Sequence, residues 1–213
     1  MKSFLLIGMG KFGHHLCREL AKQSNDIMIV DEKEEKLTDL LSYVASAKIG
    51  DCTKAEVLRS FSVDIFDACI VCVADDFQSS LEITDLLHDL GAKKIISLAS
   101  TEIQAKFLLR SGADHVIFPE RDVAQRVAAR ESNDSIFDCI ELSDEYSVYE
   151  IAVPDSWCGK TLQTLGVRTR FQINVLAVKS KGQIRMPNPQ ETLQAEDHLV
   201  ILGTNTDVHT LIK

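Results

Sequence analysis

Short apolar runs alternate with helical patterns along the first 130 residues of the chain. The runs occupy residues 4–7, 27–30, 47–49, 69–73, 95–98 and 116–118. Apolar residues at helical spacing follow them, as at Leu16 and Leu20 and again at Leu37, Leu40 and Leu41. Strands that are apolar throughout predict burial on both faces, which is typical of a parallel sheet covered by helices. We therefore expect an α/β domain over residues 1–130, with a Rossmann-like, doubly wound parallel sheet.

The pattern changes after Arg130, where the polar residues 131–135 show no periodicity and predict a linker. Beyond it, strand patterns occur at residues 136–142, 146–153, 174–179, 183–186 and 198–202. A short helix is expected from Lys160, and a last helix follows the final strand. Lys181-Gly182 predicts a hairpin turn, because glycine supplies a position of positive φ. These features predict a second, smaller α+β domain over residues 136–213.

Charge and hydropathy exclude several kinds of partner. The 213 residues carry a net charge of −9 and contain no block of lysines and arginines, which argues against a nucleic-acid partner. The longest apolar run, residues 68–74, is far shorter than the ~20 residues of a membrane-spanning helix. Residues 2–7 form a strand pattern and lack the layout of a signal peptide. We expect a cytosolic protein.

A glycine motif connects the first strand to the first helix. In Gly8-Met9-Gly10-Lys11-Phe12-Gly13, the first glycine permits a tight turn, the second allows a pyrophosphate to approach the backbone, and the third allows close packing of helix and strand. Asp31 ends the second strand, where a carboxylate accepts hydrogen bonds from a ribose diol and repels a 2′-phosphate. The alternative is that Asp31 only caps the helix expected from Lys33.

A second acidic position follows the third strand, in Gly50-Asp51-Cys52-Thr53. A carboxylate there could reach an adenine, but helix capping by Asp51 or Thr53 explains the pattern equally well. The motifs together predict a site for ATP, ADP or NAD(H), with NADP disfavoured. The predicted cofactor-binding residues are Gly8, Met9, Gly10, Lys11, Phe12, Gly13, Asp31, Asp51 and Cys52.

Other candidate motifs are rejected on geometry. Cys69 and Cys72 lie on one strand at an offset of three, so their side chains point to opposite faces and cannot share a metal. Pro154 stands where a phosphate-binding loop ending at Gly159-Lys160-Thr161 needs glycine. We find no partner set for nucleophilic catalysis and expect no enzyme. The alternative hypothesis is an NAD-dependent oxidoreductase with a small oligomerisation domain.

The ordered motifs resemble a known family, the cytosolic regulatory subunits of bacterial Ktr/Trk potassium-uptake systems, in which an RCK (TrkA-N) domain precedes a TrkA-C domain. In the first half the resemblance rests on Gly8-Met9-Gly10-Lys11-Phe12-Gly13, Asp31, Gly50-Asp51-Cys52-Thr53, Gly112-Ala113-Asp114 and Phe118-Pro119-Glu120-Arg121-Asp122. In the second half it rests on Gly159-Lys160-Thr161-Leu162, Val167-Arg168, Ile173-Asn174-Val175, Pro187 with Pro189, and Asp197-His198-Leu199-Val200.

The resemblance implies a homodimer that assembles, often as a ring of four dimers, beneath a membrane potassium-conducting subunit. Such a protein is cytoplasmic and associates peripherally with the inner face of the membrane through its partner. Nucleotide binding would then gate ion flux.

The resemblance also implies roles for individual residues. Lys11 stands where the family commonly has arginine and would meet the terminal phosphate of the nucleotide. Glu120 would lie near the nucleotide sites of the dimer and help to bind a divalent cation, Mg²⁺ or Ca²⁺. Arg168 and Asn174 match positions that contact cyclic di-AMP in Ktr members.

Overall fold

The computed structural model describes residues 1–212, which form two compact units. The first unit is Met1–Arg121, and the second begins at Asp122. The division falls inside a helix, α5, that runs over Pro119–Glu131 and ends where the predicted linker begins. In the short loop after this helix, the Asn133 side chain accepts a hydrogen bond of 2.8 Å from the backbone N–H of Ser135.

The first unit is built on a six-stranded parallel sheet with strand order β3-β2-β1-β4-β5-β6. Its strands are β1 Ser3–Ile7, β2 Asp26–Asp31, β3 Ser46–Ile49, β4 Ala68–Val71, β5 Ile95–Leu98 and β6 His115–Ile117. All four residues of β4 are buried, which agrees with a strand covered on both faces. The predicted doubly wound Rossmann-like sheet is confirmed.

Helices cover both faces of this sheet. They are α1 Lys11–Lys22, α2 Ala55–Arg59, α3 Phe77–Asp89 and α4 Glu102–Arg110. One cluster of buried side chains contains Cys69 and another contains Cys72. The prediction that these two thiols point to opposite faces is therefore confirmed, and burial raises the pKa of each to about 12.

The segment after β2 differs from the helix that its leucines predict. It forms two single 3₁₀ turns, Glu34–Lys36 and Thr38–Leu40. Leu37 and Leu40 are buried, but Leu41 is 56% exposed, so only the pair with three-residue spacing faces the core. That spacing aligns side chains in a 3₁₀ turn. The Thr38 hydroxyl also donates to the Glu34 carbonyl, a local bond that competes with regular helix.

The second unit contains a five-stranded antiparallel sheet with strand order β10-β9-β11-β8-β7. Its strands are β7 Ile136–Glu141, β8 Tyr146–Ala152, β9 Asn174–Ser180, β10 Gln183–Arg185 and β11 His198–Thr204. Its short helices are α6 Leu162–Leu165, α7 Val167–Arg170 and α8 Asn205–Leu211. Lys181 (φ 49°) and Gly182 (φ 80°) form the predicted hairpin turn between β9 and β10. The α+β character of this half is confirmed.

A charged cluster lies on this sheet, centred on Glu150 of β8. One carboxylate oxygen of Glu150 is 2.8 Å from the Lys179 ammonium and 2.7 Å from Nδ1 of His198. The His198 ring also stacks on Phe137, with ring centres 3.8 Å apart. Burial by itself raises the pKa of Glu150, but the hydrogen bonds from Lys179 and His198 outweigh it and hold that pKa below its ordinary value.

The helix α5 has no buried residue. Val123 is 60% exposed and Val127 is 43% exposed. Arg126 of this helix forms an ion pair with Asp138 of β7, at 2.8 Å. Among residues 1–212, no helix has both the length and the apolar content that a bilayer crossing requires.

Candidate functional site

A cavity of about 250 Å³ opens at the carboxyl ends of the central parallel strands. The strand order reverses between β1 and β4, and crevices outside such a reversal are where open α/β sheets bind ligands. The residues that line the cavity are Ile7, Gly8, Gly10, Val30, Asp31, Glu32, Lys33, Lys36, Gly50, Cys52, Thr53, Cys72, Val73, Ala74, Asp75, Asp76, Ser79 and Ile83.

Two glycines of the loop between β1 and α1 are required by the protein itself. Gly8 has a φ of +89°, and a Cβ there would lie 2.7 Å from a methyl group of Val73. A Cβ at Gly13 would lie 2.5 Å from the Gly8 carbonyl oxygen. These positions therefore need glycine for the turn and for close packing, as the motif predicts.

Gly10 is different from both. Its backbone is extended, with φ −75° and ψ −173°, a conformation that any residue adopts. The nearest atom to a Cβ at Gly10 is the Cys72 carbonyl oxygen, at 3.9 Å, which is an ordinary contact. Because Gly10 lines the cavity, a side chain there would take space from a ligand and not from the protein.

The N-terminus of α1 faces this loop without a side-chain cap. Gly10 is the N-cap residue, and the first turn of α1 contains no acidic residue. The first N–H groups of a helix have no partner within the helix and carry positive potential, so they suit an anion. The Met9 and Phe12 side chains pack in the core behind the loop.

Asp31 lies at the end of β2 and is almost fully buried, at 7% exposure. Its Oδ2 accepts a hydrogen bond of 2.7 Å from the backbone N–H of Met9 and lies 3.3 Å from the Lys36 ammonium. Its Oδ1 accepts a bond of 3.0 Å from the backbone N–H of Lys33. Asp31 thus holds both the glycine loop and the turn after β2, while its carboxylate still lines the cavity.

Asp51 closes a local turn onto Thr53 and does not cap α2, whose N-cap residue is Lys54. Its Oδ1 accepts 2.9 Å and 2.5 Å hydrogen bonds from the backbone N–H and the hydroxyl of Thr53. These bonds, from the hydroxyl first, hold the pKa of Asp51 below its ordinary value. Cys52 and Thr53 line the cavity, and burial raises the pKa of the Cys52 thiol to about 12. A contact between Asp51 and a nucleotide stays a prediction.

Lys11 lies in a second cavity beside the first. This second cavity is lined by Met9, Gly10, Lys11, His14, His15, Arg18 and Lys36. Gly10 and Lys36 border both cavities, so a ligand extending past Gly10 would approach Lys11. His14 and His15 do not form a ligand pair; His14 instead contacts the Lys36 carbonyl oxygen through Nε2, at 2.9 Å.

Sequence reasoning assigned only some of the residues that line the first cavity, and the polar residues it did not assign include Lys36, Asp75, Asp76 and Ser79. Lys36 carries no motif signal, because its place depends on the 3₁₀ turns after β2. Asp75, Asp76 and Ser79 follow β4 and could have been found, since the crevice forms where the strand order reverses. Asp76 caps α3 by accepting a 3.2 Å hydrogen bond from the Ser79 N–H.

The remaining predicted residues lie outside both cavities. Glu120 is exposed in the first turn of α5. Arg168 in α7 and Asn174 at the start of β9 are both exposed. Within residues 1–212, no group of three or more histidine, cysteine, aspartate or glutamate side chains could hold a metal ion.

Two family models match this chain, the TrkA-N domain over residues 4–119 and the TrkA-C domain over residues 148–213. Ktr system potassium uptake protein C of Bacillus subtilis is 35% identical over 208 residues, which cover 97% of this chain and 94% of that protein. Ktr system potassium uptake protein A of the same organism is 33% identical over the same shares. The chain belongs to the Ktr family. The family predicted from the motifs is confirmed, and these relatives are named as uptake proteins and not as enzymes.

The Ktr-family chain also resembles solved structures. The structure described as the GsuK channel bound to NAD has a TM-score of 0.71 and 20% identity. The match covers 100% of this chain and 39% of that one, so this chain spans well under half of the channel polypeptide. At this identity the likeness shows a shared fold.

Proposed function

We propose that this protein is a cytosolic nucleotide-sensing subunit that gates a membrane potassium transporter or channel. ATP, ADP or NAD(H) binds in the first cavity, and the binding state changes potassium flux through a membrane subunit of Ktr/Trk type. The observation that supports nucleotide binding is the open space beside Gly10. Neither its backbone conformation nor its protein neighbours require glycine, so the open space at Gly10 is left for a ligand.

The charges around Gly10 suit a nucleotide. The free end of α1 would receive the phosphates at Gly10, and the Asp31 carboxylate lies on the same cavity to accept from a ribose hydroxyl. ATP, ADP and NAD(H) share an adenosine 5′-diphosphate, so one site can serve all three. The family membership and the NAD named for the GsuK channel support this choice of ligands.

The protein acts as a homodimer, and four dimers form the ring beneath the membrane subunit. Exposed apolar side chains support self-association, because removing such side chains from water against a second chain is favourable. On α4, Ile103 is 69% exposed and Phe107 is 46% exposed. On α5, Val123 and Val127 are exposed in a helix that buries none of its own residues.

Two further ligands belong to the proposal. Cyclic di-AMP binds the TrkA-C domain, where Arg168 supplies a cation for a phosphate and Asn174 a polar contact for a base. Both side chains are exposed, and α7 packs against β9, the two elements that carry them. A divalent cation, Mg²⁺ or Ca²⁺, takes one carboxylate from Glu120. Its other ligands come from nucleotide phosphates or from a second chain, since Mg²⁺ in proteins is often held by one or two carboxylates together with phosphates.

Calorimetric titration of the full chain with ATP, ADP and NADH tests nucleotide binding. Potassium flux through vesicles that hold the membrane subunit tests gating. We expect at least one nucleotide to bind and to change the flux only when this protein is present. A folded protein that binds none of the three contradicts the proposal. Hydride transfer measured at 340 nm with candidate substrates would instead favour the oxidoreductase hypothesis.

A further inference from the structure

The ion pair between Lys36 and Asp31 lies at the place where a ribose would bind. Lys36 belongs to the first 3₁₀ turn after β2, and its ammonium is 3.3 Å from Oδ2 of Asp31. Its side chain is 40% exposed, whereas that of Asp31 is nearly buried. Both residues line the first cavity.

The Asp31 carboxylate has little acceptor capacity left. An ionised carboxylate offers about four lone-pair positions. Three are occupied, by the N–H groups of Met9 and Lys33 and by the Lys36 ammonium. A ribose diol that donates from both hydroxyl groups needs two. The two backbone donors are fixed by the fold, so Lys36, on a flexible and half-exposed stem, is the donor that can leave.

We infer that Lys36 governs the response of this site to a phosphate on the ribose 2′-oxygen, an inference that rests on the nucleotide site proposed above. Asp31 alone would repel a 2′-phosphate. The Lys36 ammonium, displaced from Asp31 but held beside it by its stem, supplies the opposite charge at the same position. The site therefore accepts adenosine nucleotides with and without a 2′-phosphate. Asp31 alone would favour nucleotides that lack this phosphate, and Lys36 reduces that difference in affinity.

Neighbouring charges do not provide the same contact. Glu32 and Lys33 also line the cavity, and both are exposed. Lys33 bonds to Asp31 only through its backbone N–H, and no ion pair joins its ammonium to Asp31 in residues 1–212. Lys33 thus carries the same charge as Lys36 at the same cavity without the pairing, and it serves as the matched control.

The test compares AMP with adenosine 2′,5′-bisphosphate, two ligands that differ only in the 2′-phosphate. Calorimetric titrations use the full chain as wild type, Lys36→Gln, Lys36→Arg and Lys33→Gln. We expect Lys36→Gln to lower the ratio of bisphosphate affinity to AMP affinity about 5- to 10-fold, as for a partly exposed charge-assisted contact. Lys36→Arg should retain bisphosphate binding, because arginine also binds phosphate. Lys33→Gln should change the ratio of the two affinities little.

Other results overturn the inference. An unchanged affinity ratio in Lys36→Gln shows that Lys36 does not sense the 2′ position. An equal loss for both ligands assigns Lys36 to the 5′-phosphate. If Lys33→Gln changes the ratio of the two affinities as much as Lys36→Gln does, the effect comes from the overall charge of the cavity and not from a specific contact of Lys36. If the wild-type protein binds neither ligand and also fails to bind ADP, both the proposed nucleotide site and the inference are wrong. If it binds ADP but Lys36→Gln leaves the ratio of bisphosphate to AMP affinity unchanged, only the inference is wrong.

Discussion

An alanine at position 10 adds one methyl group at the N-cap of α1, where the fold leaves room for it. The new Cβ would have its nearest protein neighbour at 3.9 Å, and the extended backbone accepts it without strain. Reduced freedom of the unfolded chain stabilises such a variant by about 0.4–1 kcal/mol, and the poorer N-cap offsets a similar amount. We expect the free energy of unfolding to change by less than about 1 kcal/mol, or roughly 2–4 °C in Tm.

Nucleotide binding should change far more. The methyl group would stand between the α1 amides and the phosphates, so at least one charge-assisted hydrogen bond is lost, at about 1.5–3 kcal/mol. That loss corresponds to an affinity for ADP lowered by roughly 10- to 100-fold. Calorimetry measures the affinity, and thermal unfolding with and without ADP provides a second readout, because a bound ligand raises Tm.

Gly13→Ala is the matched control for Gly10→Ala. Its Cβ would lie 2.5 Å from a backbone carbonyl oxygen, an atom that cannot move cheaply. Such overpacking costs about 1–3 kcal/mol of stability even without ligand. The reasoning is refuted if Gly10→Ala binds ADP as well as wild type does. It is also refuted if Gly10→Ala loses as much stability as Gly13→Ala.

Four further substitutions test the remaining roles. Lys11→Ala should reduce the difference in potassium flux between ATP and ADP more than it weakens ADP binding, because the two nucleotides differ only in the terminal phosphate. If the ratio of the flux with ATP to the flux with ADP is unchanged, Lys11 does not have this role. Asp31→Ala should weaken ADP binding by on the order of 1.5–3 kcal/mol, because a ribose hydroxyl loses a charged acceptor. The same variant should lower Tm, because the Met9 N–H loses its acceptor. An unchanged affinity for ADP would place the ribose elsewhere. Arg168→Ala should abolish cyclic di-AMP binding to the full chain and leave ADP binding intact, and calorimetry with both ligands checks this. The lowered pKa of Glu150 means that its carboxylate stabilises the fold at a pH above its ordinary pKa, and that this contribution is lost as the pH falls through the lower pKa of the folded protein. Glu150→Gln should therefore lower Tm at about pH 7, and the difference from wild type should shrink steadily as the pH falls below about 4. A difference in Tm that does not shrink with falling pH would be inconsistent with this linkage.

Local patterns along the chain were sufficient for the architecture. The four inner strands of the parallel sheet, β1, β2, β4 and β5, are short and mainly apolar, and their burial on both faces follows from that composition. Strand alternation also separates Cys69 from Cys72, since an offset of three sends the side chains to opposite faces on any strand. The spacing of the glycines correctly predicted where the cavity lies, because the tight turn that requires glycine involves only neighbouring residues of the chain.

Tertiary structure alone decided which groups meet in the cavity. The leucines after β2 predict a helix, yet the burial of Leu37 and Leu40 against the core selects 3₁₀ turns, and these turns bring Lys36 to Asp31. The bond from the Met9 N–H to Asp31 joins residues on two different strand ends, so it depends on the sheet register. A sequence pattern indicates the secondary structure that each short segment favours. Contacts between residues distant in the chain form only when the whole core packs in one arrangement.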